Sequence, residues 1–256
     1  MPVEIRELAP GTRVLVKKTK RNKVISHAIP KPLSNKCFTA IVAGAPNSGK
    51  SVLIDSLLGK QYRTCFTSVI LVCPETSRQC FENSVFEGCD PKKAFDELND
   101  QTCEKIMELI VANRDEPAEG EEPQYTMLVL DDVGAQLAKN ASVEKWMRNL
   151  LSNYRHLHCC CLLALQSYLG LHKRSRDLFR QLFQFSTPNA LERKRLADEW
   201  LGMYSAFDAS DIMDHVWDKK YNFLMCDRQE QMLCKNFAPM RIRKLPKNCG
   251  PMSCGN

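Results

Sequence analysis

A chain of 256 residues that is 44% hydrophobic, with 13 prolines and 11 glycines scattered along it, has the composition of a globular protein of one large or two small domains. Disorder, collagen and coiled coil are excluded, and the longest wholly apolar run, Cys159 to Leu165, falls far short of the roughly 18 residues a membrane helix needs. Net charge is +6, but unevenly spread: residues 1–36 carry +7, residues 235–256 hold five bases and no acid, and residues 75–122 carry −9.

The first twenty residues mix acids and bases and lack an apolar stretch before a cleavage site, so the expected location is inside a cell. Thirteen cysteines, an odd number in a long unsignalled chain, read as reduced thiols rather than a disulfide scaffold. Cys159, Cys160 and Cys161 sit in an apolar run and read as core. No CxxC pair occurs, and a structural metal is not expected.

Residues 1–36 read as a basic arm, 37–240 as the folded domain and 241–256 as a basic tail. Cys37 to Ala43 is a β-prone run leading into a Gly/Pro/Asn/Ser turn and then SVLIDSLLG: strand, loop, helix. Val52, Ile54, Leu57 and Leu58 are the expected buried stripe of that helix, with Gly59 at its end. Ser68 to Cys73 is a second strand, residues 95–113 an amphipathic helix, and Asp115 to Pro123 an acidic loop. Tyr125 to Leu130 is a third strand, Val143 to Tyr154 a helix, and Cys159 to Leu165 a fourth strand. Leu182 to Phe185 is a candidate fifth strand, followed by a helix over 191–200; YNFLMC and QMLCKNF around DRQE predict a hairpin at a sheet edge. Strands apolar throughout, alternating with helices, predict an α/β fold whose mainly parallel sheet is covered by helices on both faces.

The sharpest signal is Gly44-Ala45-Pro46-Asn47-Ser48-Gly49-Lys50-Ser51, a full G-x-x-x-x-G-K-[ST] between a strand and a helix. Its glycines let backbone N–H groups wrap phosphate oxygens, and the following helix starts at the same anion. With Val52 this loop is the expected nucleotide-binding set; Lys50 reaches the β/γ-phosphates and Ser51 ligates Mg²⁺. A second metal anchor belongs at the end of a neighbouring strand, where Asp131 and Asp132 follow Met127-Leu128-Val129-Leu130. Asp131 holds the Mg²⁺ shell, and Asp132 is placed to act as general base on the attacking water.

Gln166, at the end of the fourth strand, is placed to report on the γ-phosphate, the alternative being a plain strand cap. Arg155 lies just before that strand, where it is either a finger for the nucleotide of an adjacent subunit or a surface ion-pair partner; Arg148 is the other candidate finger. His172-Lys173-Arg174-Ser175-Arg176 is the best internal basic cluster for a phosphodiester backbone, with a solvated helix start as its rival.

Together the loop at 44–51, Leu130-Asp131-Asp132-Val133-Gly134 with Leu137 and Lys139, Arg155-His156-Leu157 and Gln166-Ser167-Tyr168 resemble the FtsK/HerA-type genome-packaging ATPases of large eukaryotic DNA viruses, virophages and Maverick-type elements. The resemblance covers about Cys37 to Ala190 and extends weakly to the terminal hairpin. It implies a RecA-like P-loop NTPase of the ASCE type with strand order 5-1-4-3-2, using ATP and Mg²⁺ and assembled as a homo-oligomeric ring, with a hexamer expected. Such a ring pumps double-stranded DNA into a preformed capsid, with capsid proteins as further partners. It would work in the cytoplasm or virus factory of an infected cell, or travel with the virion. The resemblance also supports a finger near Arg155 and a sensor at Gln166. Asp132 departs from the wider superfamily, where a glutamate is common.

Two other classes remain. One is a non-translocating P-loop nucleotide-binding protein or kinase, disfavoured because the region where an acceptor lid would sit is acidic; no Asn-Lys-x-Asp strand supports a GTPase. The other is a scaffold with a vestigial site, disfavoured by the intact Lys50, Ser51, Asp131 and Asp132.

Overall fold

The computed structural model describes residues 25, 29–78, 84, 86, 89–117 and 122–242. Most of the basic arm and tail, and the middle of the acidic loop, lie outside these.

Apolar runs of five to seven residues become strands because every side chain in them finds a covered face. In chain order the elements are β1 (Thr39–Ala43), α1 (Lys50–Ser56, continued by a π-helical turn to Gln61), β2 (Ser68–Val72), α2 (Glu75–Arg78), β3 (Ala94–Phe95) and α3 (Asp100–Asp115). Then come β4 (Thr126–Leu130), α4 (Gly134–Lys139), α5 (Ala141–Asn153), β5 (Cys159–Leu165), α6 (Lys173–Arg176) and β6 (Gln181–Phe185). The chain closes with α7 (Ala190–Trp200), α8 (Ala206–Val216), β7 (Phe223–Asp227), β8 (Met232–Lys235) and β9 (Ala238–Pro239).

The nine strands among the described residues form one sheet in the order β3-β2-β4-β5-β1-β6-β7-β8-β9. From β3 to β6 neighbouring strands are parallel; β7, β8 and β9 add antiparallel, as the hairpin pattern predicts. The five long parallel strands lie in the order β6-β1-β5-β4-β2, which counted along the chain is the 5-1-4-3-2 arrangement expected from the resemblance.

Alternation decides which helix each strand residue meets. Ile41, Ile70, Leu128, Leu130, Cys161 and Leu163 pack with Ile106 and Ile110 of α3, Met147 and Leu150 of α5, and residues of α7 and α8. Val42, Leu71, Met127, Val129, Cys160 and Leu162 face the other way, onto Leu53, Ile54, Leu57 and Leu58 of the first helix and onto Ile29 and Leu33 before β1. The three consecutive cysteines are therefore all buried, although their side chains alternate between the faces.

Two details of the first helix differ from expectation. Val52 is 71% exposed, because Leu53 and Ile54, with Leu57 and Leu58 one turn on, centre the buried stripe on the opposite side. Gly59 does not cap the helix: it lies inside the π-helical turn, which ends where Tyr62 N donates to Leu57 O at 2.9 Å. The later helices begin on side-chain caps, with Asn99, Asn140, Asn189 and Ser205 each accepting from backbone N–H groups of α3, α5, α7 and α8.

Candidate functional site: the crevice at the carboxyl edge of the sheet

In a parallel sheet the carboxyl ends of the strands share one edge. Gly44 follows β1, Asp131 follows β4 and Gln166 follows β5, so the topology brings all three to that edge. β5 lies between β4 and β1, which sets the phosphate loop and the acid pair about 10 Å apart by strand spacing alone, the span of a metal-bound phosphate chain. Backbone hydrogen bonds fix the frame: Gly44 N donates to Leu165 O at 3.1 Å and Asp131 N to Val72 O at 2.9 Å.

The loop needs its glycines. A Cβ on Gly44 would stand 2.6 Å from Ser48 Oγ and 2.7 Å from Phe185 Cβ, and Gly49 has φ +101°, a left-handed conformation that L side chains rarely adopt. Asn47 also has positive φ, at 60°. The Ser48 hydroxyl is buried without a hydrogen-bond partner among the described residues, a polar atom inside the loop still to be satisfied.

Lys50 folds back over the loop, its Nζ donating to Gly44 O at 2.7 Å and Ala45 O at 3.0 Å. Burial pulls its pKa below the ordinary lysine value, and Asp131 and Asp132 oppose that fall. Asp131 is buried; burial lifts its carboxyl above the usual range, Lys50 works against that, and Asp132 adds to it. Lysine and acid pair thus sense each other across the crevice, and any cation or polyanion entering it meets both.

Asp132 is held in the left-handed region, φ 56°, with its side chain exposed at the crevice. Gln166 Nε2 donates to its Oδ1 at 3.0 Å, and Ser77 Oγ of α2 donates to Oδ2 at 3.4 Å. The segment after Gln166 is pinned from behind by Glu192, a buried carboxylate that accepts from Ser167 Oγ at 3.0 Å, from Tyr168 N and from Thr187 Oγ1. Sequence reading missed both Ser77 and Glu192. Asn189 and Glu192 have the spacing of a capping box, which hides the fact that Glu192 turns away from its own helix.

The donor set suits magnesium. The Ser51 hydroxyl and the Asp131 carboxylate are hard oxygen ligands, and two such groups are what an ion needs when waters and phosphate oxygens complete its octahedron. Among the described residues no cluster of three or more His, Cys, Asp or Glu side chains forms a metal cage.

Two arginines are the candidate fingers. Arg155 lies in the turn before β5, and β5 spans seven residues, so its backbone stands about 20 Å from Gln166, at the opposite edge of the sheet. Its guanidinium lies 5.4 Å from the Tyr154 ring centroid. Arg148 lies on α5, its Nε buried with no hydrogen-bond partner among the described residues.

The basic cluster is corrected more sharply. Arg176 is buried, donating to both carboxylate oxygens of Glu199 at 3.0 and 2.7 Å and to Leu171 O, with its guanidinium 4.8 Å from the Tyr168 ring centroid. That charge is already paired and hydrogen-bonded inside the fold, so it is unavailable to a polyanion. His172 caps α6 and stands 3.8 Å from Glu144. Lys173 and Arg174 alone remain as exposed cations of the cluster.

Beside the loop lies a cavity of about 650 Å³, which Asn47, Gly49 and Val52 border from the loop side. Phe185, Tyr221, Phe223 and Phe237 wall the other side. The sequence shows these aromatics, but nothing local brings residues of β6 and the terminal hairpin to the loop at 44–51.

No family model matches the chain, and no curated protein matches it by sequence. Solved structures do match. The genome-packaging NTPase of Sulfolobus turreted icosahedral virus 2 in complex with AMP is 16% identical, with TM-score 0.58 over 79% of this chain and 98% of that one. The DNA-packaging ATPase of Sulfolobus turreted icosahedral virus is 19% identical, with TM-score 0.60 over 78% and 97%. The conjugation coupling protein TcpA of pCW3, in its monomer form with ATPγS, is 14% identical, with TM-score 0.55 over 91% and 70%. At such identities the likeness shows the fold alone: a RecA-like α/β core with a mainly parallel sheet between helices.

Proposed function

We propose that this chain is an ATP-driven translocase of double-stranded DNA that packages a genome into a preformed capsid. One observation carries the reading: a complete phosphate loop, a buried carboxylate, a second carboxylate and a strand-end amide converge on one crevice. The viral packaging enzymes that share the fold support it, as does the resemblance of Leu130 to Gly134 and Arg155 to Leu157 to that family.

The residues divide the work. Backbone N–H groups of 44–51 and the Lys50 ammonium hold the β- and γ-phosphates and face the charge that develops on them. Ser51 and Asp131 would hold the magnesium ion, which supplies positive charge to those phosphates when bound. Asp132 orients the attacking water and receives its proton at Oδ1, the oxygen that Gln166 now engages. For that, Gln166 must leave Asp132, and a γ-phosphate oxygen is the acceptor that would draw its amide away. Ser167 and Tyr168 then carry the shift to Glu192 and α7.

Arg155, stranded at the far edge of its own sheet, fits a role in the next subunit's site, which supports a closed ring, proposed as a hexamer. Lys173 and Arg174 and the basic ends are the proposed grip on the DNA backbone. Capsid proteins are the proposed docking partners, and an infected cell the proposed setting.

The test is ATP turnover by the full chain with and without long duplex DNA, on material whose mass in solution is measured. DNA-stimulated hydrolysis by an assembly several times the 29.2 kDa chain is expected. Turnover indifferent to DNA would move the protein to the class of non-translocating nucleotide enzymes, and binding without turnover to that of scaffolds.

A further inference from the structure

The phosphate loop accounts for a triphosphate but does not say what holds the base. Large apolar side chains are exposed at few described positions, and three of them, Val52 at 71%, Tyr221 at 56% and Phe237 at 37%, border the cavity beside the loop. Exposed apolar groups gathered around a concavity mark a binding surface more than a solvent face.

The cavity adjoins the phosphate loop directly: a Cβ on Gly49 would lie 3.4 Å from Tyr221 Cδ1 and 3.6 Å from Phe185 Cε1. Its aromatic wall is built as a unit. Phe223 sits 5.4 Å from Phe185 and 5.3 Å from Phe237 between ring centroids, the last pair edge to face. Tyr221 is held at φ 69°, a costly conformation for a bulky residue and one that marks functional positions. The hairpin holds it there: Asn236 Oδ1 accepts from Phe223 N at 3.0 Å, and Asn236 Nδ2 donates to Asn222 Oδ1 at 2.9 Å. Apart from Asn47, Ser56 and the Tyr221 hydroxyl, the lining carries no polar side chain among the described residues.

We infer that this cavity receives the nucleobase of the triphosphate, with Tyr221 and Phe237 as its stacking surfaces, and that it accepts bases by their flat faces rather than by their hydrogen-bonding edges. The inference rests on the phosphate-loop reading above and goes beyond it: the substrate class becomes nucleoside triphosphates in general, purines ahead of pyrimidines. Stacking tolerates any base because every base presents a π-face, whereas selecting adenine requires several fixed donors and acceptors.

The probes are Mg²⁺ with tripolyphosphate, which has no base, and with the β,γ-methylene analogues of ATP, GTP and CTP, titrated calorimetrically against the full chain. Each analogue should bind about 10- to 100-fold more tightly than tripolyphosphate, the ATP and GTP analogues within about fivefold of each other and the CTP analogue weaker. In Tyr221→Gly the analogues should fall to within about threefold of tripolyphosphate, whose own affinity stays put; glycine tolerates the positive φ, so the melting temperature should not drop. Tyr221→Phe should keep the parent affinities.

Analogues no tighter than tripolyphosphate in the parent overturn the inference. So does an ATP analogue favoured over the GTP analogue by more than about fiftyfold, the mark of an edge-reading site. Loss of tripolyphosphate binding in Tyr221→Gly also overturns it, because the ring would then be serving the loop rather than a base. If tripolyphosphate and all three analogues fail to bind the parent, the phosphate-loop reading itself falls.

Discussion

Gln166 Nε2 donates to Asp132 Oδ1 at 3.0 Å, joining the ends of β5 and β4 across the crevice. Asp132 therefore engages the strand-end amide through the oxygen that would accept a proton from water. Replacing the acid and replacing the amide should have separable effects. Asp132→Asn keeps an acceptor for Gln166 but removes the base, and kcat should fall about 10²- to 10⁴-fold with KM little moved. Gln166→Ala should leave the basal rate within about tenfold but weaken stimulation by DNA, because the link through Ser167 and Tyr168 to Glu192 loses its origin. Steady-state kinetics with and without duplex DNA separate these outcomes. Equal losses in both variants under both conditions would contradict the assignment.

Lys50 is the cation facing the developing phosphoryl charge, and Lys50→Ala should abolish hydrolysis. Arg155 stands at the opposite sheet edge, so Arg155→Ala should keep nucleotide binding in single subunits yet lose about 10³-fold or more in rate. Mixing the two inactive variants rebuilds complete interfaces, each pairing an intact loop with a neighbour's intact arginine. Recovered turnover in the mixture is the expected reading; no recovery at any ratio would rule out action between subunits.

The Arg176–Glu199 pair is buried on both sides, at 7% and 6% side-chain exposure. Burial alone would raise the Glu199 carboxyl, but the hydrogen bonds from Arg176 and Tyr168 hold it below its ordinary range. Arg176→Ala strands that charge and should cost about 3–5 kcal/mol in urea unfolding. Lys173→Ala with Arg174→Ala removes only exposed cations and should leave stability within about 0.5 kcal/mol while lowering DNA stimulation. A fold unharmed by Arg176→Ala would show that the pair does not stabilise the core.

The parallel sheet was legible because its strands are apolar on both faces and each ends on a turn or a polar group: Leu130 stops at the carboxylate of Asp131, and Leu165 at the amide of Gln166. The phosphate loop and acid pair were legible because both are local patterns. What escaped depends on contacts between distant residues. Arg176 looked like one of a run of exposed cations, since its partner Glu199 lies 23 positions on. Val52 looked like core because an apolar residue near a helix start fits either face. Tyr221 and Phe237 belong to the terminal hairpin, which β6 joins to β1, so their place beside the cavity that Gly49 borders is a fact of sheet order. The short α2, from which Ser77 reaches Asp132, gives too little periodicity to be read from sequence.

Asp131 is where stability and activity should oppose each other. Burial raises its carboxyl above the usual range even though Lys50 pulls the other way, so the folded chain binds a proton there more readily than the unfolded chain does. By linkage, its contribution is most favourable below the ordinary carboxylate range, near pH 4, and is lost as pH rises through the shifted value. At neutral pH the ionised group is a net cost. Asp131→Asn, nearly isosteric and uncharged, should melt higher than the parent at pH 7, with the advantage shrinking to nothing as pH falls below 4. The same variant should lose hydrolysis, because the amide cannot supply the negative ligand that a magnesium-bound triphosphate requires. Paired melting curves from pH 3.5 to 8 and one turnover assay test both halves. A variant that melts lower at pH 7 would mean that Lys50 outweighs burial, and that Asp131 holds the crevice together.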